Sequence, residues 1–336
     1  MKEAMFYRPL GEVRVHCFLC SHHCHIDSGG IGKCGVRQNR DGKLFSLVYG
    51  KPVARHVDPI EKKPLFHFLP GSTSYSIATA GCNFQCMFCQ NADISQLPIS
   101  GEIDTRSITA KEVVEQAQKE GCASISYTYT EPTVFMEYAL DVATLAKERG
   151  IQNVFVTNGY MSKEALDGVA PLLNAANVDL KSFDDAFYRE KCGASLKPVL
   201  LTLERMKEKS IWLEVTTLII PGLNDSEAEL TQIAAFLVSL GAEIPWHVSR
   251  FHPSYKMMDV GPTPVETIKR ARQIGLDAGL RYVYTGNVPG EGGENTFCHS
   301  CGALLIERFG YSIRKQNIEG GVCAKCATAP AGVGLD

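Results

Sequence analysis

Eleven of the 13 cysteines in this 336-residue chain fall into three tight groups, and that distribution limits what the chain can fold into. The groups are Cys17, Cys20, Cys24 and Cys34; then Cys82, Cys86 and Cys89; then Cys298, Cys301, Cys323 and Cys326. A disulfide framework scatters its cysteines through a small chain that lacks a strong core. Here the groups flank or punctuate a long cysteine-poor stretch, in a chain whose 45% apolar content supports a sizeable core. The pattern reads as metal ligation in a reducing compartment, and a cytoplasmic protein is expected. No apolar run reaches the roughly 18 residues of a membrane span, and no charged-then-apolar leader opens the chain. No membrane partner is expected. The net charge of −3 offers no basic field, so nucleic acid is not an expected partner either.

Glycines 29, 30, 32, 35, 42 and 50 break the first ~70 residues into short apolar runs, with a strand expected over Leu44 to Tyr49. From Tyr75 the texture alternates. Strand-like runs lie near 75–80, 123–129, 152–157, 177–181, 211–219 and 246–251. Helical patterns lie near 109–120, 133–149, 162–173, 197–209, 226–240 and 264–279, with Gly121, Gly150 and Gly241 at helix-ending positions. Six strand–helix units imply an α/β fold, a partial (β/α)6 TIM-type barrel with its chemistry at the C-terminal strand ends. The expected division is an N-terminal Cys-rich metal module (1–70), the barrel (71–287), a C-terminal zinc-ribbon-like module (288–327) and a loose tail (328–336).

Cys82, Cys86 and Cys89 follow the first barrel strand as CxxxCxxC without a fourth partner nearby. Structural zinc and electron-transfer clusters each want four protein ligands. Three thiolates on a [4Fe-4S] cubane leave one iron open for a cofactor or substrate. Gly81 permits a sharp turn there, and Phe88 is placed to shield the cluster from water. Asp179 and Lys181 end the fourth strand on one face. Cys298-x2-Cys301 and Cys323-x2-Cys326 form a zinc-ribbon pattern, with an iron–sulfur cluster as the alternative. Cys17, Cys20, Cys24 and Cys34 also total four; zinc is the first expectation and a [4Fe-4S] cluster the second. His16, His22, His23 and His25 crowd that loop, and most read as solvated. Lys62, Lys63 and His67 read as a solvated basic turn before a role in guiding substrate. Cys122 and Cys192 read as buried and inert, the second with a hydrogen-donor alternative.

The CxxxCx(aromatic)C loop resembles the signature of the radical S-adenosylmethionine (SAM) superfamily. The resemblance implies that the open iron chelates SAM, whose reductive cleavage gives a 5′-deoxyadenosyl radical for hydrogen-atom abstraction. It implies an enzyme with oxidoreductase-like chemistry, supplied with electrons by a donor such as flavodoxin or ferredoxin. In Thr128-Tyr129-Thr130-Glu131-Pro132, Glu131 and Pro132 match the superfamily's Gly-Gly-Glu-Pro turn and the glycines do not. Glu131 would then pair with the SAM ammonium, or alternatively stabilise the start of the next helix. Thr157-Asn158-Gly159 and Asp179-x-Lys181 are similar to SAM-contacting segments of glycyl-radical activating enzymes, although Val156 stands where those carry Asp. Ile220 falls in a segment resembling the adenine contact, and His252 occupies the place of a histidine beside SAM. Arg250 and Tyr255 are candidates for substrate contact.

Across almost the whole chain, the N-terminal knuckle, the run Asp58 to Gly71, the cluster loop and Pro245 to Pro253 resemble the AmmeMemoRadiSam system radical SAM enzymes. That resemblance implies association with AMMECR-type and Memo-type proteins. The alternatives are a pyruvate formate-lyase-like activating enzyme and, of another class, an RNA-modifying or zinc-ribbon binding protein.

Overall fold

The computed structural model describes residues 1–96, 106–288 and 290–335, so Asp336 of the expected tail lies outside the described residues. One eight-stranded sheet organises the centre. Its strands β1 (Pro52–Pro59), β2 (Thr73–Thr79), β3 (Ser124–Tyr127), β4 (Gln152–Thr157), β5 (Ala175–Asp179), β6 (Trp212–Ile219), β7 (Trp246–Arg250) and β8 (Val283–Gly286) lie side by side in chain order. β1 is antiparallel to β2, and every later pair is parallel. Helices α1 (Ala110–Lys119), α2 (Met136–Glu148), α3 (Lys163–Val169), α4 (Leu196–Glu208), α5 (Glu227–Leu240) and α6 (Val265–Asp277) occupy the crossovers. This is the expected partial (β/α)6 barrel, with one further strand at each edge. β8 was not anticipated from the sequence. β1 sits at the edge, where its terminal prolines cost no ladder bond.

Local sequence explains the helix ends. Thr109 and Glu112 form a reciprocal capping box at the start of α1, whose Val113, Val114 and Ala117 are buried. Ser162 and Ser226 cap α3 and α5 by accepting from Ala165 N and Glu229 N. Gly121, just past α1, takes the left-handed conformation at φ +66°.

The segment after β1 is drawn under the barrel by a buried acceptor. Glu214 on β6 is fully buried and accepts from Phe66 N (3.0 Å), His67 N (2.7 Å), Trp212 Nε1 (3.1 Å) and His247 Nε2 (2.7 Å). Of the basic turn, Lys62 is exposed as expected, but Lys63 and His67 are not. Lys63 and His67 are 1% and 0% exposed, because Asp58 supplies a counter-charge for Lys63 and the barrel interior supplies partners for His67. The tail is not loose either. Leu69 N donates to Val333 O (2.7 Å), Val333 N to His67 O (2.8 Å), and Leu335 is buried. Unpaired backbone at residues 67–69 offers the tail an edge that composition does not reveal.

His67 links both features, bonding Ala331 O through Nδ1 (2.6 Å) and the Tyr284 hydroxyl through Nε2. Burial pushes its imidazole down to about 4, with Glu214 opposing. The folded protein keeps this ring neutral while the unfolded chain protonates it near 6.5. Stability is therefore expected to fall as pH drops from about 6.5 toward 4, by up to about 3 kcal/mol from this group. Thermal melts across that window check it: His67→Phe should start lower and lose less between pH 6.5 and 5.

Two small antiparallel sheets carry the N-terminal cysteines, one joining Lys2–Glu3, Lys43–Ser46 and Arg37–Arg40, the other Tyr7–Leu10, Arg14–Cys17 and His25–Ile26. The strand expected over Leu44 to Tyr49 is thus found at Lys43–Ser46. A third antiparallel sheet (Thr296–Phe297, Leu304–Phe309 and Ser312–Gln316) adjoins the C-terminal group, whose Cys323 lies in a two-stranded sheet of Ile318–Glu319 and Val322–Cys323. Among the described residues, no helix is long and apolar enough to cross a membrane.

Candidate active site

The C-terminal ends of the parallel strands converge on a cavity of about 310 Å³. Its wall begins with the loop after β2, where Cys82, Cys86, Cys89 and Phe88 all contribute. This loop is held in shape by its neighbours. Gln85 N donates to Cys192 O (2.8 Å) and Met87 N to Lys191 O (2.9 Å). Gly81 has φ +93°, and a Cβ there would lie 2.8 Å from Cys34 O, so only glycine fits. Burial pushes the Cys82 and Cys89 thiols up, and the Glu131 carboxylate adds to the effect at Cys82. Cys86 is instead lowered, chiefly by a hydrogen bond with Cys192, whose own thiol is pushed up. Cys192 is fully buried behind Cys86 and does not line the cavity.

β3 and β4 supply the next wall. Glu131 is buried, and its Oε1 accepts from Thr133 N (3.0 Å), Thr133 Oγ1 (2.5 Å) and Thr157 Oγ1 (2.7 Å). Its Oε2 accepts from Asn158 N at 2.8 Å. The helix-start role weighed for Glu131 is thus present, in the bond from Thr133 N. Burial pushes the carboxyl up, against these donors. Four neutral donors hold the group, and no cation faces it among the ion pairs of the described residues. Asn158 Nδ2 bonds Asn83 Oδ1 (2.7 Å) and lies 3.9 Å from Cys82 Sγ. From β5, Lys181 Nζ pairs with Asp179 Oδ2 (3.0 Å) and sits 5.8 Å from the centroid of the Phe88 ring. Burial opposes its charge, yet Asp179 and the thiols of Cys86 and Cys192 hold the ammonium well above its usual range.

Sequence reasoning missed Asp58 and Tyr129. Tyr129 has φ +64°, a left-handed conformation that costs a tyrosine about 1 kcal/mol or more. It occupies the first glycine position of the superfamily turn, so the glycine-like backbone persists without the glycine. Its hydroxyl donates to Asp58, which also takes Lys63 Nζ (2.7 Å), Lys62 Nζ (2.8 Å) and Ser76 Oγ (2.8 Å). Burial pushes the Lys63 amine down to about 8, although Asp58 opposes this. Lys62, Lys63 and Tyr129 all line the cavity. The mismatch at the glycine position was the available signal.

The structure does not bring every expected residue to this wall. His252 is exposed on the loop after β7 and is absent from the cavity lining. Ile220 is buried behind the wall, its N bonded to Asn224 Oδ1 at 2.6 Å. Arg250 Nε donates to Thr263 O (2.7 Å), and Tyr255 is exposed. After β6 the Asn224 side chain holds Ile220 N, and at the end of β7 Thr263 holds the Arg250 side chain and Phe251 N. Val156 lines the cavity where the activating enzymes carry Asp.

At the C-terminus, the sulfurs of Cys298, Cys301, Cys323 and Cys326 all lie within 4.8 Å of one another. Cys298 and Cys326 are 3.6 Å apart, and Cys301 and Cys323 are 3.8 Å apart. At the other end, Cys17, Cys20, Cys24 and Cys34 line one small cavity of about 10 Å³.

A three-thiol loop at the end of the first parallel strand thus faces a cavity at the C-terminal strand ends, where barrel enzymes carry their chemistry. Residues 76–234 match the radical SAM superfamily. The protein MJ0808 of Methanocaldococcus jannaschii is 48% identical over 320 residues, 95% of each chain. An isethionate sulfite-lyase activating enzyme of Nitratidesulfovibrio vulgaris is 31% identical over 154 residues, which is 43% of this chain and half of that enzyme. In fold, a radical SAM methyltransferase from Sphaerobacter thermophilus superposes with TM-score 0.52 at 21% identity, covering 70% of this chain and 71% of its own. The chain belongs to the radical SAM superfamily and is an enzyme.

Proposed function

We propose that Cys82, Cys86 and Cys89 hold a [4Fe-4S] cluster whose remaining iron takes SAM, in an enzyme that abstracts a hydrogen atom from a substrate still to be identified. The carrying observation is that three thiols, without a fourth on the cavity lining, open onto a space walled by Glu131, Asn158, Asp179 and Lys181. When bound, the cluster and SAM supply a one-electron cleavage that yields methionine and a 5′-deoxyadenosyl radical. The buried Glu131 carboxylate, which faces no cation, suits the SAM ammonium. Lys181 suits its carboxylate, and Phe88 keeps water from the sulfurs. Asn158 orients the Cys82 side of the loop. Lys63, held by Asp58, also lines the cavity and is a candidate substrate contact.

The flanking thiol groups, within residues 1–70 and 288–327, act as metal modules, the second binding zinc. Its sulfur separations support zinc, because a tetrahedral site with Zn–S near 2.3 Å has edges of about 3.8 Å. A flavodoxin or ferredoxin is the proposed electron donor. Membership of the AmmeMemoRadiSam group, with AMMECR-type and Memo-type partners in the cytoplasm, is the finer reading. Relatives named as activating enzymes favour a second reading, activation of a glycyl-radical enzyme. Val156 argues for a cavity adapted to something else.

Lys181→Met tests the SAM site. Loss of one charge-assisted hydrogen bond, about 1.5–3 kcal/mol, should weaken SAM binding roughly 10- to 100-fold while the iron content stays unchanged. Equilibrium binding to the reconstituted protein measures this. Unaltered affinity would remove Lys181 from the site.

A further inference from the structure

Zinc and iron–sulfur clusters both accept four thiolates, and the separation of the sulfurs distinguishes them. The C-terminal quartet is closed to a zinc tetrahedron. The N-terminal quartet is not. Among the described residues, the C-terminal group is the one whose sulfurs all fall within 4.8 Å, so no three of Cys17, Cys20, Cys24 and Cys34 do so. The same is true of Cys82, Cys86 and Cys89. Yet the four N-terminal thiols line a single small cavity of about 10 Å³. Sulfurs drawn in to about 2.3 Å from a zinc ion would sit closer together than these do. A cubane instead needs its four thiolates held apart, because each binds a different iron at an outer corner.

A second observation points into the same cavity. Arg37 lines it, is 1% exposed, and has Nε and Nη1 buried without a hydrogen-bond partner. Its Nη2 is occupied by Glu137 and by Met5 O. The guanidinium lies within electrostatic reach of Cys17, Cys34 and Cys20. Sulfur atoms of an anionic cluster are suitable acceptors for two such stranded donors.

The quartet also abuts the SAM-binding loop. Cys34 O is the backbone atom against Gly81, and a His22 ring nitrogen meets Asn83 O at 2.7 Å. The Cys20 thiol lies near the Asn83 side chain, whose Nδ2 is buried without a hydrogen-bond partner. The Oδ1 atom of that side chain lies 3.9 Å from Cys82 Sγ. One residue separates a ligand of each group.

We propose that Cys17, Cys20, Cys24 and Cys34 bind a second [4Fe-4S] cluster, which passes single electrons to the SAM-binding cluster across Asn83. An external low-potential one-electron donor reduces the N-terminal cluster. That cluster is reoxidised as the SAM-binding cluster gains the electron, so one electron enters and one leaves. The relay rests on the SAM-cluster reading, whereas the identity of the second cluster does not.

The test uses the full chain, reconstituted anaerobically with iron and sulfide. Native protein should hold about eight iron and eight sulfide per chain, four of each per cluster, and about one zinc. A Cys82→Ala/Cys86→Ala/Cys89→Ala variant should keep about four iron and show a reduced-cluster EPR signal that SAM does not alter. A Cys20→Ala/Cys34→Ala variant should keep about four iron whose signal SAM does alter. Should that variant misfold, the triple variant still decides, since its N-terminal site is intact. An iron-free triple variant, with two zinc in the native protein, would overturn the second cluster. If instead the SAM-cluster reading fails, native and triple variant will hold the same four iron. The fully reduced native protein should show spin coupling between clusters, lost in either variant; two clusters without coupling would overturn the relay.

Discussion

Truncation of Glu214 to alanine is expected to leave the protein unable to fold stably at 37 °C, although Glu214 touches neither cysteine group. Its carboxylate is the shared acceptor for two backbone N–H groups of the 60–69 segment, the Trp212 indole and the His247 imidazole. Alanine would strand four buried donors. Each costs about 1–3 kcal/mol, so the loss approaches or exceeds the 5–15 kcal/mol that holds a typical domain together. The electrostatics agree in sign. Burial opposes the charge, but His247, His67 and the Phe66 N–H hold the Glu214 carboxyl below its usual range. Its contribution is therefore complete above the unfolded value near 4.5 and lost as pH falls through the folded value. Glu214→Gln keeps one acceptor oxygen and should be much milder. Thermal unfolding of both variants measures the difference, and equal melting temperatures would show that the floor of the barrel is held elsewhere.

Removal of metal from the C-terminal quartet is expected to melt residues 296–335 and to loosen the barrel floor. The local core is small: apart from Cys298 and Cys323, only Leu305, Ile306, Ile318 and Leu335 are buried in that cluster. Such a core cannot offset the ordering of its strands, so the tetrahedral site has to. The damage should spread, because buried Arg308 donates to Phe66 O (2.8 Å) and Ala331 bonds His67. Hydrogen exchange checks this. With Cys301→Ser, or after chelation, protection across Leu304–Phe309 and Ser312–Gln316 should fall by more than about 100-fold, the equivalent of about 2.7 kcal/mol. Protection at Thr73–Thr79 should fall far less. Unchanged protection at the ribbon strands would mean that the thiols are not needed to fold them.

What could be read from sequence, and what could not, follows from the range of the interactions. The cysteine triplet could be picked out because CxxxCxxC is a local pattern, ten residues from Ala80 to Cys89, and the structure sets all three thiols on the cavity wall. The six strand–helix units were legible because period and caps are local too. Glu214 was not, since its backbone partners lie 147 and 148 residues earlier in the chain. The docking of the tail on residues 67–69 failed for the same reason. Tyr129 shows a subtler limit. Its left-handed backbone betrays a position designed for glycine, but only a comparison with the superfamily turn made the position noticeable. The N-terminal quartet was recognised as a site at once. The proposed choice of a cluster over zinc rests on sulfurs that do not close within 4.8 Å, which spacing along the chain does not encode.

The central claim is that the three-thiol loop makes this chain a SAM-cleaving enzyme. The direct measurement is anaerobic turnover: reconstitute with iron and sulfide, reduce, add SAM, and quantify 5′-deoxyadenosine beside Cys86→Ala. The account predicts product from the native protein and none above background from the variant. Equal yields from both, or a native protein that assembles no cluster on this loop, would contradict it.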